Sequence, residues 1–332
     1  MKRQLLLSIW TIFAFLIAGC EGAKPDGHNL IIATASPGGT YYPVGVGIGT
    51  LVTKKLQPFI TASAINSAGS GENIQMMLNG EAQLAILQSL FGAMAYAGTG
   101  QYDAPITEIR SITMLWLNVE HFLIVSDAVK SGTVADLKGL AAKFSIGARG
   151  SGTEGSTRTI LKALSIDPGS DFQPEFLGYT TSVQALMDGR ISGATVSAGP
   201  PVAAATQAFA QMGGGVRILE INNRQLEAIQ SAYPVWTRFE IPANTYPGQT
   251  TRVQTIAQPN FLACRADMPD DLVHKITRTI YENLDYLRKI HSATNAMALG
   301  KAIDGLAVPL HPGALRFYRE NGISVPDPLV AK

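Results

Sequence analysis

The sequence predicts an α/β fold of two lobes around a cleft, on three observations. Strand and helix patterns alternate from residue 30 onward, the signature of layered α/β structure. The alternation comes in two similar sets, about 30–97 and about 142–221. Two long extended runs, near 117–126 and 254–266, cross between the sets. The chain therefore builds one lobe, then the other, then returns. That order assigns 30–122 plus 255–332 to lobe 1 and 123–254 to lobe 2, with the two crossings as a hinge.

In lobe 1, residues 31–35 form an apolar strand, 36–43 a Gly-rich turn, and the stretch to Leu56 a helix. A second strand at 60–66, a turn at 67–72 and a helix from Asn73 follow. Residues 82–88 read as a buried strand feeding a small-residue helix to Ala97, and 109–116 and 121–126 as two further strands. In lobe 2, 142–148 is a strand, 149–157 a Gly-rich turn and 157–164 a helix. Residues 172–179 are extended, 182–187 a short helix, 191–197 a buried strand, and 198–201 a turn into an Ala-rich helix. Gly213, Gly214 and Gly215 precede a strand at 216–221, and most of 233–258 reads as loop. Residues 253–265 are one extended run. Pro269, Asp270 and Asp271 then open a helix with Leu272, Ile276, Ile280, Leu284 and Leu287 along one face.

Residues 1–19 read as a signal peptide: Lys2 and Arg3, then an apolar stretch from Leu5 to Ile17 too short for a stable span. It ends Ile17-Ala18-Gly19-Cys20, which resembles a bacterial lipobox and marks Cys20 for lipidation; 20–29 is then a lipidated Cys and tether. The expected location is the periplasm or cell envelope, membrane-anchored through Cys20. Of the 26 Lys and Arg, loss of Lys2 and Arg3 leaves 24 against 25 acidic residues. There is no basic field for nucleic acid and no polybasic membrane patch. With Cys20 lipidated, Cys264 has no partner for a disulfide and reads as a small core residue.

The candidate site lies in the strand-to-helix turns. A helix start leaves several N–H groups unpaired and carries partial positive charge. Gly38 and Gly39 let a ligand approach that backbone. Similar Gly-, Ser- and Thr-rich turns recur at 67–74, 147–157 and 197–201, two turns to each lobe, so that four could close on one anion. Such turns equally serve as ordinary helix caps. Arg149, beside Gly150-Ser151-Gly152-Thr153, is the candidate for bidentate capture of a carboxylate, with Arg158 as the alternative. Tyr41 or Tyr42 offers an apolar wall with a hydroxyl, and Gln88 and Tyr179 end strands where a cleft belongs. The expected ligand contacts are Gly39, Thr40, Tyr41, Ser70, Gly71, Gln88, Arg149, Ser151, Gly152, Thr153 and Tyr179.

Other chemistry is weakly represented. The five histidines have no ligand-like spacing, and no Cys cluster accompanies them, so no metal and no cofactor is expected. There is no P-loop, and Gly45, Gly47 and Gly49 lie inside a helix, where they serve helix–sheet packing. Ser151 lacks the flanking glycine of a nucleophile elbow, and no His and acid are nominated beside it, so an enzyme is not expected; a Ser151-dependent hydrolase is the alternative from another class.

An ordered set of motifs resembles the TAXI family, the solute-binding subunits of one branch of TRAP transporters. It comprises Gly38-Gly39-Thr40-Tyr41-Tyr42-Pro43, Ser70-Gly71-Glu72-Asn73-Ile74, Gly80-Glu81-Ala82-Gln83 running on to Gln88-Ser89, Gly150-Ser151-Gly152-Thr153-Glu154, Tyr246-Pro247-Gly248-Gln249, Pro269-Asp270-Asp271-Leu272-Val273 and His311-Pro312-Gly313-Ala314. The resemblance implies a two-lobed periplasmic-binding-protein (type II-like) fold that closes on its ligand by hinge bending. It implies a monomer that delivers a small anionic solute, such as glutamate, 2-oxoglutarate or a related dicarboxylate, to a TRAP-type membrane permease. By motif match it carries over Thr40, Tyr41, Ser70, Gln88, Ser151, Gly152 and Thr153 as ligand contacts. Arg149 and the Pro200-Pro201 turn depart from the family pattern. The related NMT1-like group serves ABC importers, and a ligand sensor of the same fold is a further alternative partner assignment.

Overall fold

The computed structural model describes residues 27–331; the signal peptide, Cys20 and residues 20–26 of the tether lie outside the described residues. Strand β1 (His28–Ala33) lies between β2 (Ile60–Ile65) and β3 (Leu84–Gln88), parallel to both, and it takes in His28 and Asn29 of the expected tether. Helices α1 (Tyr41–Leu56), α2 (Ser70–Leu78) and α3 (Ser89–Ala97) follow these three strands in turn. Gly45 and Gly49 seat α1 on the sheet: a Cβ on Gly45 would stand 2.3 Å from Thr34 Cγ2, and one on Gly49 3.0 Å from the Ala62 carbonyl.

The two strands expected at 109–116 and 121–126 are one 17-residue strand, β4 (Ile109–Val125). Nothing in 117–120 breaks it, because each half finds its own partners. The first half pairs antiparallel with β10 (Val253–Arg265), and the second pairs with β7 (Gly193–Ala198) and β8 (Val216–Leu219). Likewise β10 runs from β9 (Thr237–Ile241) at one end to β3 at the other. The hinge crossings are thus the two longest strands, and they join everything into one ten-stranded sheet. Strands β5 (Lys143–Ser145) and β6 (Gln173–Glu175) extend the second half in parallel beyond β7.

The second half is flanked by α4 (Gly152–Ala163), α5 (Tyr179–Met187), α6 (Ala203–Met212) and α7 (Asn223–Ala232). Helix α4 starts five residues before the expected Thr157, because Ser151 caps it by accepting from Glu154 N at 2.9 Å. Tyr179 opens α5 and does not end a strand. Helix α7 and strand β9 add to the expected elements; α7 announces itself by a capping box of Asn222 and Gln225, while β9 is a short edge strand that completes its ladder only on β10.

The helix expected across 272–287 divides into α8 (Asp270–Tyr281) and α9 (Leu284–Ile290), with Asn283 between them. Buried Leu272, Val273, Ile276 and Ile280 press α8 into a core shared with α1 and with α10 (Pro312–Glu320). Truncating a wholly buried residue of this face such as Ile276 to Ala costs about 2–5 kcal/mol. Cys264 is buried in the same core, where burial raises its thiol pKa, as suits a packing residue and not a nucleophile.

Candidate functional site

Both halves of the sheet send turns toward one cavity of about 80 Å³. At roughly 10–15 Å³ per water molecule held, that is room for a small solute and not for a polymer. The β1–α1 turn contributes Ser36, Gly39, Thr40 and Tyr41, and the β2–α2 turn contributes Ser67, Gly69 and Ser70. From the other half come Ala148, Ser151, Gly152 and Thr153, then Gly178 and Tyr179, then Ser197 and Ala198. Gln88 closes the end of β3.

Each turn is held by buried bonds. Asn73 Nδ2 donates to the carbonyls of Thr34 at 2.7 Å and Ile86 at 2.9 Å, and Ser67 Oγ also donates to Thr34, which sets the start of α2 beside β1 and β3. Tyr41 Oη donates to Asn260 Oδ1 at 2.5 Å, and Asn260 Nδ2 to Asn118 Oδ1 at 3.3 Å, which ties α1 to both hinge strands. Gln258 accepts from Leu90 N at 2.9 Å, and its Nε2 lies 3.4 Å from Gln88 Oε1. Tyr179 Oη donates to Ser197 O at 2.7 Å and pairs with Thr153 Oγ1 at 2.6 Å, joining three turns of the second half.

The halves also touch each other. Thr40 Oγ1 donates to Gly199 O at 2.8 Å, Ala204 N to Gly38 O at 3.2 Å, and Glu72 N to Gly150 O at 3.1 Å. The cavity is therefore described in a closed arrangement.

No side chain lining the cavity is charged. The polar groups are hydroxyls, one carboxamide and backbone. Helices α1, α2 and α5 begin at the cavity with no side-chain acceptor on their first N–H groups; Gln258 takes Leu90 N of α3, and Ser151 caps α4. Burial raises the phenol pKa of Tyr41 and Tyr179, so both stay neutral hydroxyls.

Nine of the eleven expected contacts line the cavity: Gly39, Thr40, Tyr41, Ser70, Gln88, Ser151, Gly152, Thr153 and Tyr179. Two do not. Arg149 is exposed, with its guanidinium 3.6 Å from the Phe176 ring centroid, because that aromatic face outside the cavity offers the long side chain a stacking surface. Arg158, the alternative, pairs with Glu154 at 3.0 Å one helical turn away and is likewise absent from the lining. Gly71 is buried beside the cavity mouth, packed on Gly150. Ser151 serves as a helix cap, and no His or acid lines the cavity beside it. Among the described residues, no group of three His, Cys, Asp or Glu is placed to hold a metal ion.

Sequence reasoning passed over the polar hinge. Asn118 and Glu120 in β4, and Gln258 and Asn260 in β10, are wholly buried. Their signal was a polar residue at every second position within otherwise apolar extended runs, which puts all four on sheet faces that meet the cavity turns.

Solved structures share this architecture. MatC from Rhodopseudomonas palustris with bound malate matches with a TM-score of 0.57 at 14% identity, over 88% of this chain and 98% of that one. A periplasmic transporter matches with a TM-score of 0.52 at 14% identity, over 88% and 92%. A protein from Bordetella bronchiseptica RB50 matches with a TM-score of 0.50 at 15% identity, over 91% and 86%. The fold is the α/β fold of two-lobed periplasmic binding proteins. Among the described residues no helix is long and apolar enough to cross a membrane. The NMT1-like family model matches residues 32–322, and the chain belongs to the NMT1-like family.

Proposed function

We propose that this protein captures a small carboxylate, of the class of glutamate, 2-oxoglutarate and related dicarboxylates, outside the cytoplasm and delivers it to a TRAP-type permease. Lobes 30–122 plus 255–332 and 123–254 close on the solute about β4 and β10, and lipidated Cys20 anchors the monomer to the membrane. The observation that carries this reading is the closed, uncharged cavity edged by hydroxyls, with three helix starts that have no side-chain cap around it. Each start is equivalent to about half a positive charge, so the three together oppose about one and a half negative charges without any cationic side chain. MatC, a solved relative in fold, holds malate, a ligand of that class.

A second reading concerns the partner alone. Membership of the NMT1-like family favours an ABC importer as much as a TRAP permease. The two share the site and separate on which permease co-purifies with the protein or restores uptake alongside it.

The solute class is tested by thermal-shift measurements against malate, glutamate, 2-oxoglutarate and alkanesulfonates. A ligand at 100 times its Kd stabilises by about 2.7 kcal/mol, a shift of several degrees in a chain of this size. A carboxylate-selective shift supports the reading; no shift with any of these anions counts against it.

A further inference from the structure

One carboxyl beneath the cavity has no part in the binding scheme above. Glu120 lies in β4 just past its last pairing with β10, at Val119, with its side chain wholly buried. One carboxyl oxygen accepts a hydrogen bond from Ser197 Oγ. The other oxygen has no partner, and neither has the indole nitrogen of Trp236 nearby.

Polar groups around Glu120 come from β7 (Ser197), α4 (Ser156), β10 (Gln258) and the residue just before β9 (Trp236); each favours the charged form, and burial outweighs them together. The titratable groups that feel its charge are the phenols of Tyr41 and Tyr179. No Lys, Arg or His is among the groups that act on it. His121, next along β4, bonds instead to the carbonyls of Val119 and Val196 and to Tyr246 Oη, and burial lowers it to about 4, so it brings no cation. A dry carboxylate with one bare oxygen and no cation is strongly disfavoured against its protonated form. Burial accordingly pushes Glu120 up to about 7.

Ser197 connects this carboxyl to the ligand space. It lines the cavity, donates to Glu120, and through its backbone meets Tyr179 Oη, which in turn holds Thr153. An anion in the cavity and a carboxylate at Glu120 would be like charges with one serine between them, in a site where water does little to screen them.

We propose that Glu120 couples anion capture to the uptake of one proton: the cavity binds its anion with the Glu120 carboxyl neutral, and a deprotonated Glu120 weakens binding. The proton comes from solvent and forms the carboxyl O–H; no other bond changes. This rests on the small-anion reading above and specifies its charge balance.

Calorimetric titration of malate, glutamate and 2-oxoglutarate at pH 6 to 8.5, in buffers of differing ionisation enthalpy, tests it. The expected result is uptake of up to one proton per anion near pH 8, with affinity about fivefold weaker at pH 8 than at pH 7. In Glu120→Gln both the uptake and the pH dependence vanish. The proton count on the unaltered protein stands even where that variant fails to fold. Binding of any of the three with no proton uptake across this range overturns the coupling and leaves the anion reading intact. Binding of none of them overturns the anion reading itself, and the coupling with it. Infrared titration of the ligand-free protein gives a separate check: a Glu120 carboxyl fully ionised at pH 6 also overturns the coupling.

Discussion

Gly71 and Gly150 meet backbone to backbone across the cleft. A Cβ on Gly71 would stand 2.3 Å from the Gly150 carbonyl oxygen, the same oxygen that accepts from Glu72 N at 3.1 Å. The contact joins the first turn of α2 to the loop before α4, so it exists only when the two halves are together. Backbone cannot swing aside as a flexible side-chain end does. Gly71→Ala is therefore expected to hinder closure and weaken ligand binding at least about tenfold, an interaction loss of about 1.4 kcal/mol or more. The melting temperature without ligand should change far less. Titration and melting curves of the variant, side by side, check this; equal loss in both would mean that Gly71 serves folding and not closure.

Gly155 of α4 makes a second contact between the halves, here against a buried side chain, with a Cβ there falling 2.3 Å from Phe91 Cζ. Gly155→Ala should also oppose closure, and the added truncation Phe91→Leu should restore part of the binding. Double-mutant analysis of the affinity measures that recovery. Strict additivity of the two losses would contradict the contact.

Removing the Tyr179 hydroxyl leaves Thr153 Oγ1 and the Ser197 carbonyl without a shared partner. Tyr179→Phe is expected to lower stability by about 1–2 kcal/mol, measured by urea unfolding. Affinity should fall as well, because Thr153, Tyr179 and Ser197 all line the cavity.

Glu120 and His121 make opposite demands on pH. Burial raises the Glu120 pKa from 4.5 to about 7, so the folded chain holds a proton there that the unfolded chain lacks between those values. Its contribution is full below pH 4.5 and is lost as pH rises through 7. His121 is lowered from 6.5 to about 4, so its contribution is present above pH 6.5 and is lost as pH falls toward 4. The two slopes oppose each other over roughly pH 4.5 to 6.5. Glu120→Gln removes one of them, and the stability of the variant should climb more steeply across that window than that of the unaltered protein, by about 2–3 kcal/mol in total. Parallel stability curves would contradict a neutral buried Glu120.

Arg149 stands outside the cavity on Phe176. Arg149→Ala should therefore change affinity by less than about threefold at physiological salt, where exposed charges are screened beyond about 8 Å. A loss of a hundredfold would return Arg149 to the role expected from its place in the sequence.

The sequence was legible where local chemistry decides structure. The Gly-rich turns declared themselves at 36–43, 67–74 and 147–157, and the extended run at 254–266 anticipated β10 closely, whereas β4 was read as two strands. Reading failed where a residue's role depends on distant partners. Arg149 sits next to the right glycines, yet its direction is decided by Phe176, 27 positions on. The helix start at Tyr179 is hidden because Gly178, the residue before it, offers no side chain to cap it. Glu120 looked like one polar residue in a strand; that it lies under the cavity follows only from the pairing of β4 with β7.

The central claim is that helix N–H groups and hydroxyls, with no cationic side chain, select a carboxylate. The direct measurement is calorimetric titration of the best-binding carboxylate against the analogue with one carboxylate replaced by a primary amide, which has the same shape and one negative charge fewer, at pH 6. The account predicts that the carboxylate binds at least about 100-fold more tightly, the scale of charge-assisted hydrogen bonds lost with the charge. Equal affinity for the amide would contradict it.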